Sequence, residues 1–471
     1  MRFGIRLGAI AGLLLSALLN GSERLSAADW PQWMGPQRDG VWRESDILDK
    51  FPAGGPKVLW KTPVGMGYSG PAVAAGRVFV TDRILAEGAE NPDNPFDRNT
   101  VVPGQERIVC LDEATGQLLW KHSYPAAYRI SYAAGPRCTP TVDDGRVYTL
   151  GAMGDLLCLD IKTGEVLWSK QFMKDFAAEV PVWGFSSPPL IDGNKLICLV
   201  GGSDGRLVMA FDKRSGEPIW KALSYDAGDF GYCPPVILNV AGERQLVIWH
   251  PKALVGLDPE TGKTRWTVPF EVRAALTAPM PRLVGNDQIF VTSFYNGSML
   301  VKVTASGAEA VWRSKARGER PNQTVDLNAI MPTPVIHGDY VYGICSYGEL
   351  RCLKAATGER LWSTMAATRG RLTPAKVRER EEPSTTQPWI ERWANAFLVS
   401  HGQREFLFNE QGELIIAELS PSGYKEIDRA VILEPTNRLA GRPVVWTHPA
   451  FANRKMFARN DQEIVCVSLA K

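Results

Sequence analysis

The sequence predicts an all-β fold: an eight-bladed β-propeller built from four-stranded blades. Three observations predict it. A motif ending in tryptophan recurs along the chain, a second motif containing x-x-Pro precedes each copy, and a lone strand near the start supplies what the last copy lacks. The 44 glycines and 33 prolines among 471 residues suit many short strands joined by tight turns.

The tryptophan motif reads IVCLDEATGQLLW to Trp120, LLCLDIKTGEVLW to Trp168, VMAFDKRSGEPIW to Trp220, LVGLDPETGKTRW to Trp266 and LRCLKAATGERLW to Trp362. Gly116, Gly164, Gly216, Gly262 and Gly358 each stand four residues before the tryptophan. Asp112, Asp160, Asp212 and Asp258 stand eight before it. Degenerate copies end at Trp312 and at Tyr424. The second motif is an apolar strand, a short Gly or Asn turn and another strand. It begins at Ser69, Cys138, Ser186 and Cys233, and more loosely at Pro279, Pro332, Ala396 and Thr447. Together the two motifs make four strands, A to D, with a period of roughly 50 residues, as expected of propeller blades.

Taken in chain order, residues 1–28 carry Arg2 and Arg6, an apolar run from Leu7 to Leu19 and a small-residue ending Ser26-Ala27-Ala28, a secretory signal pattern. The run is short for a bilayer span. Export to the periplasm or the extracellular space, without a membrane anchor, is therefore expected. Removal of this segment leaves 50 basic and 50 acidic residues. That balance, with no long like-charge run, argues against a nucleic-acid partner. Residues 29–56 form an N-terminal extension whose stretch DWPQWMGPQRDGVW holds three tryptophans. It reads as a partner-binding tail or as an extension laying its indoles against the outside of a blade. The propeller occupies 57–471. Eight A strands can be counted, but the last unit ends at EIVCVSLAK without a D strand, and KVLWKTP, 57–63, is a D strand without the other three. Pairing the two closes the ring and removes free sheet edges.

The repeated residues read first as scaffold. Each aspartate opens a C–D turn and accepts backbone N–H bonds, each glycine supplies a positive φ, and each tryptophan packs between blades. Cys110, Cys158, Cys352 and Cys466 occupy one recurrent strand position and read as small buried fillers; the state of the eight cysteines is left open by spacing. VGMGYSG, 64–70, matches G-x-G-x-x-G, yet a strand rather than a helix follows it, so a dinucleotide site is not expected. GGSDG, 201–205, lies where a blade needs its B–C turn. The five histidines show neither H-x-H nor HExxH spacing, no CxxC occurs, and no metal site is expected.

With CLDxxTGxxxW repeated around the ring, the chain resembles the quinoprotein, or PQQ-like, propeller family over 57–471. That family includes PQQ-dependent alcohol dehydrogenases and the non-enzymatic outer-membrane assembly lipoprotein BamB. The dehydrogenase branch carries a vicinal cysteine pair, and no two cysteines are adjacent here. The BamB branch is lipid-anchored through a cysteine, and the first cysteine here is Cys110. The resemblance thus implies a secreted, monomeric binding or scaffold module for a small molecule or protein partner, with no certain cofactor. Its alternative is a PQQ-dependent oxidoreductase acting on alcohols or sugars, with PQQ and calcium; no catalytic residue is assigned.

The long excursions, 83–106, 169–184, 313–329 and 363–392, all fall on the face of the B–C and D–A connections. Insertions confined to one face build a binding surface. Residues just before each x-x-Pro are expected at the channel mouth there: Tyr68, Arg137, Phe185, Tyr232, Met331 and Trp446, with Trp183 and His448 nearby. Such an aromatic funnel suits a flat or anionic molecule or a peptide, or simply plugs the channel.

Overall fold

The computed structural model describes residues 1, 28–225, 228–369, 391–439 and 442–471. The predicted signal segment therefore lies outside the described residues, except Met1 and Ala28, as does most of the excursion 363–392.

Continuous apolar runs in the inner strands and alternation of apolar and polar residues in the outer ones produce eight four-stranded antiparallel sheets. Seven span 72–125, 141–171, 190–222, 236–269, 282–313, 335–364 and 396–431. The eighth joins Ala450–Ala452, Lys455–Arg459 and Glu463–Ser468 to Val58–Pro63, which pairs antiparallel with Glu463–Ser468 as the outer strand. The first strands of neighbouring sheets touch one another, as Ala72–Ala74 does with Thr141–Asp143 and Ala450–Ala452, so they ring the axis. B and C strands are buried on both faces, and the cores lie between blades.

A bulge recurs in the outer strands at the residue before the tryptophan, for example between Cys110–Trp120 and Leu111–Leu118, and between Cys158–Trp168 and Leu159–Val166. It turns the skipped residue outward, which accounts for exposed Leu119, Leu167, Ile219 and Val311, and aims the indole at the next blade. There Trp60, Trp120, Trp168 and Trp312 donate to the carbonyls of Glu113, Ile161, Lys213 and Ala355. Their rings lie against Gly116, Gly164, Gly216 and Gly358, and Trp220 lies against Gly262. Cys110, Cys158, Cys352 and Cys466 are the cross-strand partners of docking tryptophans, and all eight cysteines are free and buried.

Trp266 breaks the pattern. The next blade's C–D turn joins Gly297–Thr304 to Gly307–Arg313 through two residues and carries no docking glycine. The indole folds back onto Gly256 of its own sheet and donates to the Gln245 side chain at 2.6 Å.

Candidate functional site: an aromatic funnel with a plugged floor

Residues 29–42 of the N-terminal extension do not lie on the outside of a blade; they run through the central channel, and farther on Phe51 and Gly55 reach the outer strand Gly423–Val431. Trp30 exchanges backbone hydrogen bonds with Val73 of blade 1 at 2.8 and 2.9 Å, and the Pro31 carbonyl accepts from Val142 of blade 2. Arg38, almost fully buried, donates to Pro189 O at 2.9 Å and Pro188 O at 3.2 Å beside blade 3. Asp39 O accepts from Arg282 of blade 5, and Gly40 and Trp42 pair with Ser400 of blade 7. The inner edges of an eight-bladed ring leave unpaired backbone groups facing a wide axis, and this segment satisfies a share of them. Its turns use Gly35 and Gly40, at φ +83° and +70°.

Trp33 leaves this plug and forms the floor of a cavity of about 450 Å³ that opens on the long-loop face. Its indole donates to Met280 Sδ at 3.2 Å, and its ring lies 4.8 Å from His448. Seven residues read from the sequence line the same cavity: Tyr68, Arg137, Trp183, Tyr232, Met331, Trp446 and His448. Phe185 does not. Its ring is buried between blades 2 and 3, 5.4 Å from Phe172 and 5.8 Å from Phe230, and Ser186 lines the cavity instead. The short helix Phe172–Phe176 and Gly154 leave an apolar slot there that draws the ring out of the channel.

The wall also holds Phe96, Tyr132, Tyr295, Arg392, Trp393 and Phe397. Phe96 comes from the first excursion, while Arg392 ends the last and Trp393 follows it directly; nothing in a linear motif marked them, because loop side chains acquire their direction only once the loop is packed. Phe397 belongs to the inner strand Ala396–His401.

Most polar tips in the funnel are tied down. Tyr68 accepts from Asn437 Nδ2 at 3.1 Å, and burial pushes its phenol up to about 12. Tyr232 donates to Asp229, whose carboxyl burial pushes up. Trp446 donates to Glu410, which Arg442 holds from the other side at 2.7 Å. His448 is lowered to about 4 by burial and is neutral near pH 7. Arg137 lies 5.1 Å from the Tyr68 ring centre, its donors spent on the carbonyls of Gly135, Ser131 and Tyr132. The second guanidinium, Arg392, covers the Trp393 ring at 4.6 Å and pairs with Glu319 at 3.3 Å.

The fit of PQQ and calcium can be tested against these residues. PQQ is a planar tricarboxylate, and the aromatic walls and two guanidinium groups suit its shape and charge. A calcium ion needs converging carboxylate and amide oxygens. The described lining contains no Asp, Glu, Asn or Gln side chain, and no group of three His, Cys, Asp or Glu side chains able to hold a metal occurs among the described residues. These residues do not fit the quinone–cation pair, and no chemical step is derived through it.

G-x-G-x-x-G at 65–70 is the connection from blade 8 to blade 1. A Cβ at Gly65 would stand 2.5 Å from the Arg83 carbonyl, so here glycine permits backbone approach rather than phosphate binding. Among the described residues no helix is long and apolar enough to cross a membrane.

No curated protein sequence matches the chain. Among solved structures, the quinohemoprotein alcohol dehydrogenase from Comamonas testosteroni is 12% identical, covers 94% of this chain and 81% of its own, and superposes with a TM-score of 0.56. The alcohol dehydrogenase ADHIIG from Pseudomonas putida HK5 gives 12%, 94%, 80% and 0.53. BamB from Moraxella catarrhalis is 16% identical, with 83% of this chain and 97% of that one covered and a TM-score of 0.48. At such identities the two dehydrogenases share the fold alone. A family model described as outer membrane protein assembly factor BamB matches residues 104–364. With eight blades and a match over more than half its length, the chain belongs to that PQQ-like propeller family.

Proposed function

We propose that the chain is a binding module that takes a small molecule, or side chains of a protein partner, in the aromatic funnel of its long-loop face. One observation carries this reading: the channel is not filled by its aromatics but ends blindly on Trp33, leaving about 450 Å³ open on the face where the excursions gather. An apolar pocket of this size with a few polar groups is the common form of a ligand site.

Oxidation of alcohols or sugars with PQQ is the second reading, favoured by the flat walls alone. One experiment separates the two. Trp33, Trp183, Trp393 and Trp446 line the cavity, so occupancy reports through tryptophan fluorescence. Saturable quenching by PQQ with calcium, together with dye reduction on a panel of alcohols and sugars, would establish the oxidoreductase. Quenching by planar aromatic molecules without turnover supports the binding module. Silence across the panel leaves a protein partner as the funnel's ligand.

Export of the mature chain is part of the proposal, resting on the N-terminal pattern of basic, apolar and small residues. The plug begins at Asp29, directly after the expected cleavage point, with Asp29 Oδ2 accepting from Ala75 N at 3.3 Å. Mass determination of the protein recovered from an exporting host should place its N-terminus at Asp29. An intact Met1 would overturn export by this route.

A further inference from the structure

The plug fills the channel on one side only. Its backbone bonds go to Val73 of blade 1, Val142 of blade 2 and Ser400 of blade 7, each two residues before the turn between strands A and B. Along a strand edge the backbone groups of every second residue point away from the paired neighbour, so these positions face the axis. Leu283 and Ile336 stand two residues before their own turns in blades 5 and 6, and Ile237 stands four before the turn in blade 4. They therefore face the axis as well. Their strands, Val236–Val240, Arg282–Val284 and Val335–His337, are the free edges of their sheets. Among the described residues no backbone bond reaches the three from outside those sheets.

A second cavity, of about 440 Å³, opens beside them. Ile237, Leu283 and Ile336 line it and are half-buried, whereas Val73, Val142 and Ser400 are buried against the plug. Gly285 and Gly338 of the A–B turns also line it, which sets it on the face opposite the funnel, and Gln37, Arg38 and Asp39 of the plug line it from within. Arg282 supplies a charged handle. Its Nη2 donates to Asp39 O at 2.8 Å, while Nη1 has no acceptor among the described residues and, unlike Nε, is not shut off from solvent. Of the other lining charges, Arg38 is engaged by the carbonyls of Pro188 and Pro189, Asp39 pairs with Arg43, and Asp339 is exposed to water on its turn, where its field is screened.

We propose that this cavity binds an extended peptide with a free C-terminal carboxylate. The peptide backbone pairs with the inner edges of blades 4 to 6 as the plug pairs with blades 1, 2 and 7, and the carboxylate accepts from Arg282 Nη1. A peptide suits a free edge because it presents N–H donors and C=O acceptors at the strand repeat. Recognition through main-chain bonds tolerates many sequences, and the apolar walls at Val236, Leu238 and Pro281 favour small apolar side chains. The plug occupies the rest of the bore, so a chain enters by an end, and a guanidinium selects the acid end through a charge-assisted bond. An ammonium there would meet like charge.

The test uses the whole mature chain and three probes: acetyl-Thr-Val-Thr-Val with a free carboxylate, its C-terminal amide, and the acid N-methylated at both valines. Titration calorimetry should give the acid an affinity at least about tenfold above that of the other two. Arg282→Gln should remove the difference between acid and amide, and Arg282→Lys, which keeps a charged donor, should restore part of it. Hydrogen exchange of the unaltered protein needs no variant: the acid should slow 236–240, 282–284 and 335–337 and leave 391–397, beside the funnel, unchanged. Equal affinity of acid and amide, or a preference that survives Arg282→Gln, would overturn the carboxylate contact. Undiminished binding after N-methylation, slowing confined to the funnel, or no binding by the acid would overturn the site. None of these outcomes bears on the funnel's own ligand, so the two readings fail separately.

Discussion

At the scale of single residues, the repeat works because each motif position answers a requirement set by the neighbouring blade. Gly216 shows it. At φ +75° it sits where a side chain is strained, and a Cβ there would stand 2.8 Å from Trp168. Gly216→Ala should cost about 2–4 kcal/mol, from the left-handed backbone and the overpacked ring together. Urea denaturation checks the value, and in a Trp168→Ala background the penalty should shrink to the backbone part. His448 gives a pH signature. Its folded pKa, lowered by burial to about 4, lies below the ordinary 6.5, so the unfolded chain takes up the proton first. The stability it lends is present above pH 6.5 and is lost as pH falls toward 4, by about 3 kcal/mol. Asp155, raised to about 6 by burial, works in the opposite direction, and His250 in the same one. Comparing wild type with His448→Gln across that pH range cancels both: the wild type should lose ground to the variant as pH falls, and parallel curves would refute the linkage.

At the scale of elements, the plug is the part least visible in the sequence. Its three tryptophans are plain in the text, but whether they cover a blade or fill the axis depends on the bore of the ring. Trp30, buried beside Phe451 at 6.0 Å, anchors it. Trp30→Ala should destabilise the protein by about 3–5 kcal/mol through the cavity it leaves. The same substitution should speed proteolysis of the N-terminal segment well before the blades are cut, as limited digestion with mass detection would show. Equal cleavage rates in variant and wild type would mean that the plug is held chiefly by its backbone pairing.

At the scale of the whole molecule, the chain crosses every junction between neighbouring blades, and the ring is closed by strand pairing inside blade 8, where Val58–Pro63 lies against Glu463–Ser468. Trp60 stands on that closing strand and ties it to blade 1, donating to Glu113 O at 2.9 Å. Trp312 makes the corresponding bond to Ala355 O between blades 5 and 6, but its strand is joined by a hairpin turn to the one it pairs with. Trp60→Ala should therefore raise the unfolding rate more than Trp312→Ala, measured by stopped-flow denaturation. Equal effects would mean that the closing strand is held mainly by its sheet.

Legibility followed the same division. The blades were readable because strand alternation, turn residues and the tryptophan spacing are local and repeat, so each copy corroborates the next. Five funnel residues, Tyr68, Arg137, Tyr232, Met331 and Trp446, were readable because the x-x-Pro motif places its preceding residue at the start of an inner strand, and Trp183 and His448 because they stand close to such a position. Phe185 obeyed the same rule of position yet left the channel, because an apolar slot between two blades competed for its ring. Tyr132, Arg392 and Trp393 carried no linear sign, since a loop side chain's direction is set by what the loop packs against. By itself the sequence determined the number of blades, their internal register and the face that carries the loops, all consequences of short-range periodicity. Only the tertiary structure decided that the channel ends on Trp33 and that the inner edges of blades 4 to 6 stay open, because both depend on residues far apart in the chain meeting around a common axis.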